Sequence, residues 1–525
     1  MAKRRRSIGK GTIATIVVII ILLAGIAGYY EYSQFTKPPP TLTIGFMVGV
    51  TTLDPAKVYI QNGAYDVMNN IFDPLVRLNP QTLQLEPSLA INWTANANFT
   101  VWTFWLRKNV KFTDGTPFNA SAVKFTFDRI LQMGTGPAFE LSPILNSVNV
   151  INNYEVQFVL KKSIPFFEYM ISGPEFGIVS PTAVLKEGNN FGTEPVGTGP
   201  FYVVKYTTSQ IILKANPDYF LGPPKIKTVI INVYQSSSTA ALALKSGEIQ
   251  LIWDPLQAMN PTDIKSLENV SGIVVKTWEK PYLSYLGMYT GPNRPLSNPL
   301  LREAIAYAIN RSAIIDKVLG GFGYVPNSVV PPQITGSVQS YNYTYNMTKA
   351  EQLIKEAGIK PGQVTLIAGY PSGNEVRQAV LTYIASQLSQ LGINVQLTPV
   401  TTAAWIQGLN NGAFDLFVIA LAPDYPNPYG WLQMFTSQAI PNPNRWHYVN
   451  PQVDSLISSA LSSGGNTQLA NVYYAQAQKI IGQQVPAIPL WGMEGYYLMS
   501  SKLHGLPYPD LLPTMCLWLY PAYLS

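Results

Sequence analysis

Hydrophobic periodicity divides part of the C-terminal half of the chain into alternating strands and helices. Apolar runs of strand length occupy residues 364–370, 393–400 and 414–421. Residues 374–392 and 402–412, between these runs, have apolar side chains at helical spacing. Strand and helix in alternation predict a mixed α/β fold with parallel strands. Ligands of such sheets bind beyond the carboxyl ends of the strands.

Two other segments have clear start or stop signals. Apolar and other residues alternate over residues 42–48, which predicts a half-buried strand. Asn298 followed by Pro299 is typical of a helix start, because proline fits the first helical position. Gly320 and Gly321 close the next helical stretch.

The N-terminus predicts a membrane anchor. Residues 11–28 form an uncharged, mostly apolar run that just reaches the length of a bilayer-spanning helix. The lysines and arginines of residues 3–10 place its start in the cytoplasm and the body outside. We therefore expect three leading segments: a basic flank or signal at 1–11, one transmembrane helix at 12–30 and a proline-rich linker at 31–40.

Removal of the anchor by ordinary secretory cleavage is not expected. No cysteine follows the apolar run to carry a lipid, and the A-x-A type of cleavage site is missing. The order Lys10-Gly11-Thr12 resembles archaeal prepilin-like signals, which would imply cleavage after Gly11. A plain signal anchor that stays in the membrane is the alternative.

Composition excludes several classes of function. Of the 35 lysines and arginines, five lie in the first ten residues, and the remaining 30 nearly balance 29 acidic residues. The body therefore lacks the basic stripe of a nucleic-acid partner. One cysteine and two histidines exclude a disulfide framework and a typical zinc site. We expect no metal, no cofactor and no catalytic residue, although a distant pair of glycosidase carboxylates stays open.

Four segments together resemble a known family. They are, in order along the chain, residues 85–130, 195–226, 243–252 and 299–332. The first contains LEPSLAINW and FWLRKNVKFTDGTP, similar to the P-x-L-A-x-x-W and F-x-L-R-x-x-V-x-F-x-D-G-x-P motifs of solute-binding protein family 5. Members of that family are extracellular receptors of dipeptide and oligopeptide ABC importers.

The resemblance implies an α/β, two-lobed, type II periplasmic-binding-protein-like fold with an extra inserted domain, following the one N-terminal transmembrane helix. Such a receptor closes about a hinge around its ligand and delivers it to an ABC permease. The implied boundaries are 41–72, 197–283 and 493–525 for lobe I, 73–196 for the inserted domain and 284–492 for lobe II. An archaeal member with its body outside the cell would match the anchor.

The resemblance also implies a ligand site. Residues 422–428, APDYPNP, are similar to the family segment A-D-Y-x-D/N-P, whose aspartate receives the α-ammonium of a bound peptide. The similarity implies that Asp424 receives the α-ammonium in this chain. Asp424 follows an apolar run, where an ionised carboxylate needs a partner. Capping of a turn beside Pro426 is the alternative. Four aromatic residues could line the same cleft or pack in the core: Trp405, Tyr425, Tyr429 and Trp431.

The class of ligand is narrowed by one departure from the family. Dipeptide-selective relatives have an arginine that binds the ligand's carboxylate after the strand that corresponds to residues 364–370. This chain has PSGNE at that place, and its nearest following arginine is Arg377, in the next helix. We therefore expect oligopeptides, with oligosaccharides as the alternative because aromatic residues make up 12% of the chain. Two alternatives from other functional classes are a pilin-like structural subunit and a secreted hydrolase.

Overall fold

The computed structural model describes residues 39–58, 63–254, 258–421, 423, 425–512 and 516–525. The predicted anchor at 12–30 and Asp424 lie outside these residues. Within them, no helix is both long and apolar enough to cross a bilayer.

The described chain has eighteen strands. They are β1 Thr41–Phe46, β2 Val76–Leu78, β3 Leu85–Pro87, β4 Ala90–Ala95, β5 Val101–Leu106, β6 Leu145–Asn152, β7 Glu155–Leu160, β8 Phe201–Tyr206, β9 Gln210–Ala215, β10 Thr228–Val233, β11 Leu251–Trp253, β12 Ile273–Met288, β13 Thr365–Pro371, β14 Asn394–Val400, β15 Leu416–Leu421, β16 Ala487–Ser500, β17 Leu503–His504 and β18 Tyr523–Leu524.

The α-helices of the described residues are α1 Gly63–Met68, α2 Ala120–Met133, α3 Ala138–Leu141, α4 Phe167–Met170, α5 Pro181–Glu187, α6 Ser237–Ser246, α7 Pro261–Lys265, α8 Pro299–Ala308, α9 Arg311–Val318, α10 Met347–Glu356, α11 Glu375–Ser389, α12 Thr402–Asn410, α13 Pro428–Leu432, α14 Pro451–Leu461 and α15 Thr467–Gln484. Short 3₁₀ helices occupy Pro174–Phe176, Gly188–Gly192, Pro295–Ser297, Gln433–Phe435 and Ser437–Ala439.

One ten-stranded sheet runs through the molecule in the order β14-β13-β15-β12-β16-β11-β1-β10-β9-β8. Strand β13 pairs in parallel with β14 and β15, which confirms the parallel α/β prediction. A second parallel group forms where β1 pairs with β10 and β11. We call the part around β1 and β8–β11 the first lobe, and the part around β13–β15, with helices α8–α15, the second lobe.

Two long antiparallel strands join the lobes. Strand β12 has 16 residues and β16 has 14, and their pairing extends from Ile273 opposite Ser500 to Gly287 opposite Ala487. The first half of β12 therefore belongs to the first lobe. Its second half pairs with β15 of the second lobe. Each lobe is thus an extension of the same two strands.

A separate four-stranded sheet, β4-β5-β7-β6, packs against α2 and forms a unit that we call the insert, residues 85–180. Its core is rich in phenylalanine, and Phe127 and Phe158 meet edge to face at 4.8 Å. Between the insert and β8 the chain passes Gly197 and Gly199, where a Cβ would come within 2.5 Å of the Ile71 backbone. Glycine at both positions therefore permits this close approach of two backbone segments.

The two faces of the large sheet are packed differently. On one face a single cluster of buried side chains includes residues of both lobes, such as Phe46 and Phe417. On the other face the cores are separate: one lies around Leu366 in the second lobe and one around Leu244 in the first. The lobes are therefore packed together on one face and divided on the other.

The joining strands are interrupted at the boundary of the lobes. Glu279 pairs with Glu494 and Leu283 pairs with Gly492, so three residues of β12 stand opposite Met493 alone. We call residues 280–282 the hinge bulge. Bulges of this kind bend and twist a strand locally. The change of direction lets one pair of strands serve two lobes.

Lys280, the first residue of the hinge bulge, is only 4% exposed. Its ammonium lies 5.6 Å from the ring centroid of Trp253 and 5.3 Å from that of Trp278. Gly495 makes room for it, because a Cβ there would come within 2.1 Å of the lysine Cε. The buried cation is thus held against two aromatic faces.

Three carboxyl groups act on Lys280 from segments that are distant in sequence. Burial lowers the pKa of Lys280, and the carboxyls of Asp510, Asp66 and Asp254 oppose that effect. Burial raises the pKa of Asp510 to about 6 and that of Asp66 to about 8, and Lys280 opposes both shifts. The Lys280 ammonium therefore keeps the pKa values of Asp510 and Asp66 lower than burial alone would make them.

We expect Lys280→Met to make stability more sensitive to pH. Without the cation, the folded-state pKa values of Asp510 and Asp66 rise further above their unfolded values. The folded protein then binds more protons than the unfolded chain, so its stability falls as pH rises. Urea unfolding should show the variant close to wild type at pH 5 and less stable by about 2–3 kcal/mol at pH 8.

Lys276→Met is the matched control. Lys276 lies on the same strand, half-buried, with its ammonium 4.7 Å from the ring centroid of Tyr508. We expect a change of less than about 1 kcal/mol that is independent of pH. A Lys280→Met variant whose stability runs parallel to that of wild type from pH 5 to pH 8 would contradict the proposed role.

Candidate functional site

A cavity of about 650 Å³ lies where the joining strands pass between the lobes, on the divided face of the sheet. Its floor includes Tyr282 of the hinge bulge, Trp491 of β16 and Ala420 near the end of β15. One wall comes from residues 258–264 of the first lobe and the other from residues 374–379 of the second. Both walls follow the carboxyl end of a parallel strand, β11 or β13, as the sheet topology predicts for a ligand.

Arg377 lies in the second-lobe wall at the start of α11. The Asn374 side chain accepts a hydrogen bond from the Arg377 N–H and so caps the helix. The guanidinium carbon lies 4.5 Å from the ring centroid of Trp405, whose Nε1 donates to Gly369 O at 3.1 Å. A strand end, a helix cap and an indole ring thus fix the position of one cation at the cavity.

The charge of Arg377 has no counterion in the described part of the chain. Burial and the nearby Arg445 guanidinium lower the pKa of Arg377, whereas Tyr282 raises it. No described carboxylate comes within 4 Å of Arg377. A partly desolvated guanidinium in a cavity wall can receive an anionic group in bidentate geometry.

The first-lobe wall is held by a buried aspartate. The Asp254 carboxylate accepts hydrogen bonds from the N–H groups of Ala258 at 2.9 Å and Met259 at 2.7 Å. It also accepts a hydrogen bond from the hydroxyl of Tyr496, and burial raises the pKa values of both side chains. The wall is thereby tied to β16 and, through it, to the hinge bulge.

The turn after β15 meets the insert. Asn427 caps the short helix α13 by accepting a hydrogen bond from the Tyr429 N–H at 2.9 Å. The Tyr425 ring is stacked on Phe166 of the insert with centroids 5.6 Å apart, and Tyr429 lies 5.5 Å from the same ring. Tyr425 is 4% exposed and belongs to the insert's core cluster. These two tyrosines therefore connect the second lobe to the insert.

The predicted site residues lie in three different surroundings. Trp405 supports Arg377 beside the cavity, Tyr425 and Tyr429 pack against Phe166, and Trp431 is completely buried within the core. Asp424 lies outside the described residues. Its role, and any contact of the four aromatic residues with ligand, stays a prediction.

Tyr282, Trp491 and Tyr496 line the cavity without having been singled out from sequence. They lie in two long apolar stretches, where alternating aromatic side chains are typical of core strands. The available signal was the interruption of each stretch, by Pro281 in one and Gly492 in the other. Such interruptions mark a bulge or a close approach of backbone.

Comparison with known proteins supports a receptor fold. Residues 84–442 match the family of bacterial extracellular solute-binding proteins, family 5 Middle. The probable D,D-dipeptide-binding periplasmic protein DdpA of Escherichia coli (strain K12) is 27% identical over 502 residues, 93% of this chain and 95% of that protein. The glutathione-binding protein GsiB of the same strain is 30% identical over 459 residues, 84% of this chain and 86% of the relative.

A solved structure extends the comparison to the fold. The periplasmic binding protein DppA from Helicobacter pylori, in complex with the peptide STSA, superposes with a TM-score of 0.78 at 26% identity. The alignment covers 94% of this chain and 99% of DppA. The expected two-lobed α/β fold of periplasmic binding proteins is thus confirmed.

Proposed function

Because the chain belongs to the bacterial extracellular solute-binding proteins, family 5, we propose that it captures oligopeptides outside the cell and delivers them to an ABC permease. The observation that carries this proposal is the cavity between the lobes, with the unpaired Arg377 guanidinium in its wall. The named relatives are solute-binding proteins, and DppA is in complex with a peptide. A peptide with free termini has the charges that such a cleft can recognise.

We assign the two ends of the peptide to two charges of the second lobe. Asp424, three residues beyond the end of β15, receives the α-ammonium. Arg377 lies farther along the chain than the carboxylate-binding arginine of dipeptide-selective relatives, and it receives the terminal carboxylate of a longer peptide. In a closed cleft both would form charge-assisted hydrogen bonds, which are stronger than neutral ones and fix ligand orientation. Backbone hydrogen bonds along the peptide add affinity without selecting side chains.

Closure would occur about the hinge bulge. The joining strands β12 and β16 are the floor of the cavity, and its walls belong to different lobes. A ligand that contacts both walls binds the closed arrangement more tightly than the open one, and so shifts the population towards it. This links capture to the shape that a permease recognises.

We further propose that residues 12–30 anchor the receptor at the outer face of the membrane, with residues 31–40 as a spacer. The apolar run and its basic flank support this assignment. The archaeal origin inferred from Lys10-Gly11-Thr12 likewise stays a prediction.

Asp424→Asn should weaken the binding of tetra-alanine by about 2–5 kcal/mol, because the buried ammonium loses its counterion. Calorimetric titration of wild type and variant measures the difference, with N-acetylated tetra-alanine as the matched ligand. The acetylated peptide has no ammonium, so wild type and Asp424→Asn should bind it equally. Asp218→Asn, at an exposed position in the first lobe, is the control variant.

Equal affinity of wild type and Asp424→Asn for free tetra-alanine would rule out the ammonium contact. A wild-type protein that binds no peptide but does bind a maltose-type oligosaccharide would replace the oligopeptide assignment with the sugar alternative. A sugar hydroxyl bonds an amide nearly as well as a carboxylate, so the substitution would then cost about 1 kcal/mol.

Arg377→Met should weaken the binding of tetra-alanine by about 1.5–3 kcal/mol, the typical range for a hydrogen bond to a charged group. The expected reason is loss of the contact to the terminal carboxylate, since methionine retains the apolar stem against Trp405. Tetra-alanine amide should bind wild type and variant alike. A loss of the same size for the acid and the amide would show that Arg377 acts on the cleft and does not contact the carboxylate.

Membrane fractionation tests the anchor. We expect the full chain to sediment with membranes and a chain starting at Pro40 to remain in solution and still bind tetra-alanine. The physical reason is the separation of the apolar run from the globular body by the prolines of residues 38–40. Full-length protein in the supernatant after ultracentrifugation would overturn the anchor without affecting the receptor assignment.

A further inference from the structure

A second cavity of about 580 Å³ lies between the insert and the second lobe. The insert supplies Phe99, Trp102, Phe166, Glu168 and Tyr169, and the second lobe supplies residues including Asn427, Asn471 and Tyr474. It shares no described lining residue with the cavity at the joining strands. It is therefore a separate space with its own chemistry.

Glu168, in α4, differs from other buried carboxylates of the chain. Asp54, Asp73 and Asp415 each have an arginine nitrogen at 2.7 Å. The Oε2 atom of Glu168 is buried and has no hydrogen-bond partner among the described residues. Burial raises the pKa of Glu168 to about 8, and a hydrogen bond from its own backbone N–H opposes the rise. A carboxylate in this position needs a counterion.

Apart from its aromatic rings, the lining has uncharged polar side chains, such as Gln84, Gln333 and Asn471, and no described cation. Its ionisable side chains are Glu168, Tyr169 and Tyr474. Burial and Glu168 raise the pKa of Tyr169, which therefore lies in the field of the carboxyl. Trp102, only 4% exposed, has an indole N–H without a partner in the described structure. The cavity thus offers the Glu168 carboxyl as an acceptor, the Trp102 indole as a donor and several π faces, beside uncharged polar groups.

We propose that this cavity binds an organic cation, an ammonium or guanidinium group on an apolar body. Glu168 is the counterion, the rings of Trp102, Phe166 and Tyr169 surround the apolar body, and the Trp102 N–H can bond an acceptor oxygen of the ligand. Aromatic faces attract cations most strongly where water is excluded. The cation could be a free amine or a basic side chain of a captured peptide.

Binding would be coupled to release of a proton. With a pKa of about 8, roughly nine-tenths of the empty sites carry a protonated Glu168 at pH 7. The arriving cation stabilises the carboxylate, so the carboxylic acid loses its proton to solvent as the ion pair forms. The charge of the cavity is then zero before and after binding, and affinity rises with pH up to about 8.

Phenethylammonium is a suitable probe, and phenethyl alcohol is its neutral counterpart. Calorimetry at pH 6.5 in two buffers of different ionisation enthalpy should show one ammonium bound and nearly one proton released. At pH 9, where most of Glu168 is already ionised and most of the probe is still an ammonium ion, the net proton release should nearly vanish. The alcohol should release none at either pH.

Glu168→Gln should weaken phenethylammonium binding by at least about tenfold and abolish the proton release, because the amide cannot balance the charge. Glu194→Gln, an exposed position with the same change of charge, should leave both unchanged. Equal affinity in wild type and Glu168→Gln, absence of proton release at pH 6.5, or no binding at millimolar probe would each overturn the proposal.

The stability of the empty protein checks that Glu168→Gln is folded and that the carboxyl is buried. The folded-state pKa lies above the unfolded one, so the folded protein binds the extra proton, and ionising Glu168 destabilises the wild type as pH rises from about 5 to 8. Glu168→Gln should lose less stability over that interval. A variant with the same pH dependence as wild type would contradict a buried, unpartnered carboxyl.

A peptide pair identifies the source of the cation. Ala-Lys-Ala-Ala should bind more tightly than its norleucine analogue only if the cavity accepts a peptide side chain, and Glu168→Gln should remove that preference. No preference, with phenethylammonium still bound, assigns the cavity to free amines. Because the probe has no peptide backbone, its binding should survive Asp424→Asn, so this inference and the peptide proposal can fail independently.

Discussion

The Lys280 ammonium, buried beneath two tryptophan rings at the hinge bulge, is the contact on which the arrangement of the lobes depends. Desolvation of a cation is costly, and here it is offset by π faces and by three carboxyl groups. Asp66 lies in α1, Asp254 follows β11, and Asp510 belongs to the C-terminal segment. One cation on β12 thus acts on three other segments that are remote in sequence, at the point where both lobes share the same strands.

The junction of the two lobes also determines on which face of the sheet a ligand can bind. On one face of the sheet, side chains of both lobes belong to one buried cluster, which packs the lobes together at their junction. On the other face the separate cores leave the cavity whose floor is Tyr282 and Trp491. In the closure that we propose, the lobes would therefore approach each other on the side on which Arg377 stands.

Periodicity was sufficient for the elements whose signals are local. The strand and helix alternation after residue 364 and the Asn298-Pro299 helix start are found as predicted, because period, caps and proline act within a few residues. Strand β1 ends at Phe46, so Val48, the last position of the predicted alternation, lies beyond it. The chain turns away there, where neighbouring strands no longer extend far enough to pair.

Side-chain contacts between segments that are distant in sequence could not be predicted from local patterns. The Tyr425 ring packs in the core of the insert, more than 200 residues earlier in the chain, so its partner Phe166 could not be identified from its neighbours. Lys280 could not be identified either, since its aromatic partners Trp253 and Trp278 come together only in the fold. The same limit applies to Arg377, which local sequence places in a helix and the fold places at a cavity.

The buried charged side chains fall into two groups, those with a counterion supplied by the chain and those without one among the described residues. Asp54, Asp73 and Asp415 meet arginines supplied by the chain, and Lys280 has its own carboxyls, so folding itself compensates these charges. Arg377 and Glu168 have no such counterion among the described residues, and each lines a cavity large enough for a small solute. A buried charge without a counterion lowers stability, and it is retained where a ligand supplies the missing counterion. We propose that an anionic group of the ligand meets Arg377 in the cavity between the lobes and that a cationic group meets Glu168 in the cavity beside the insert.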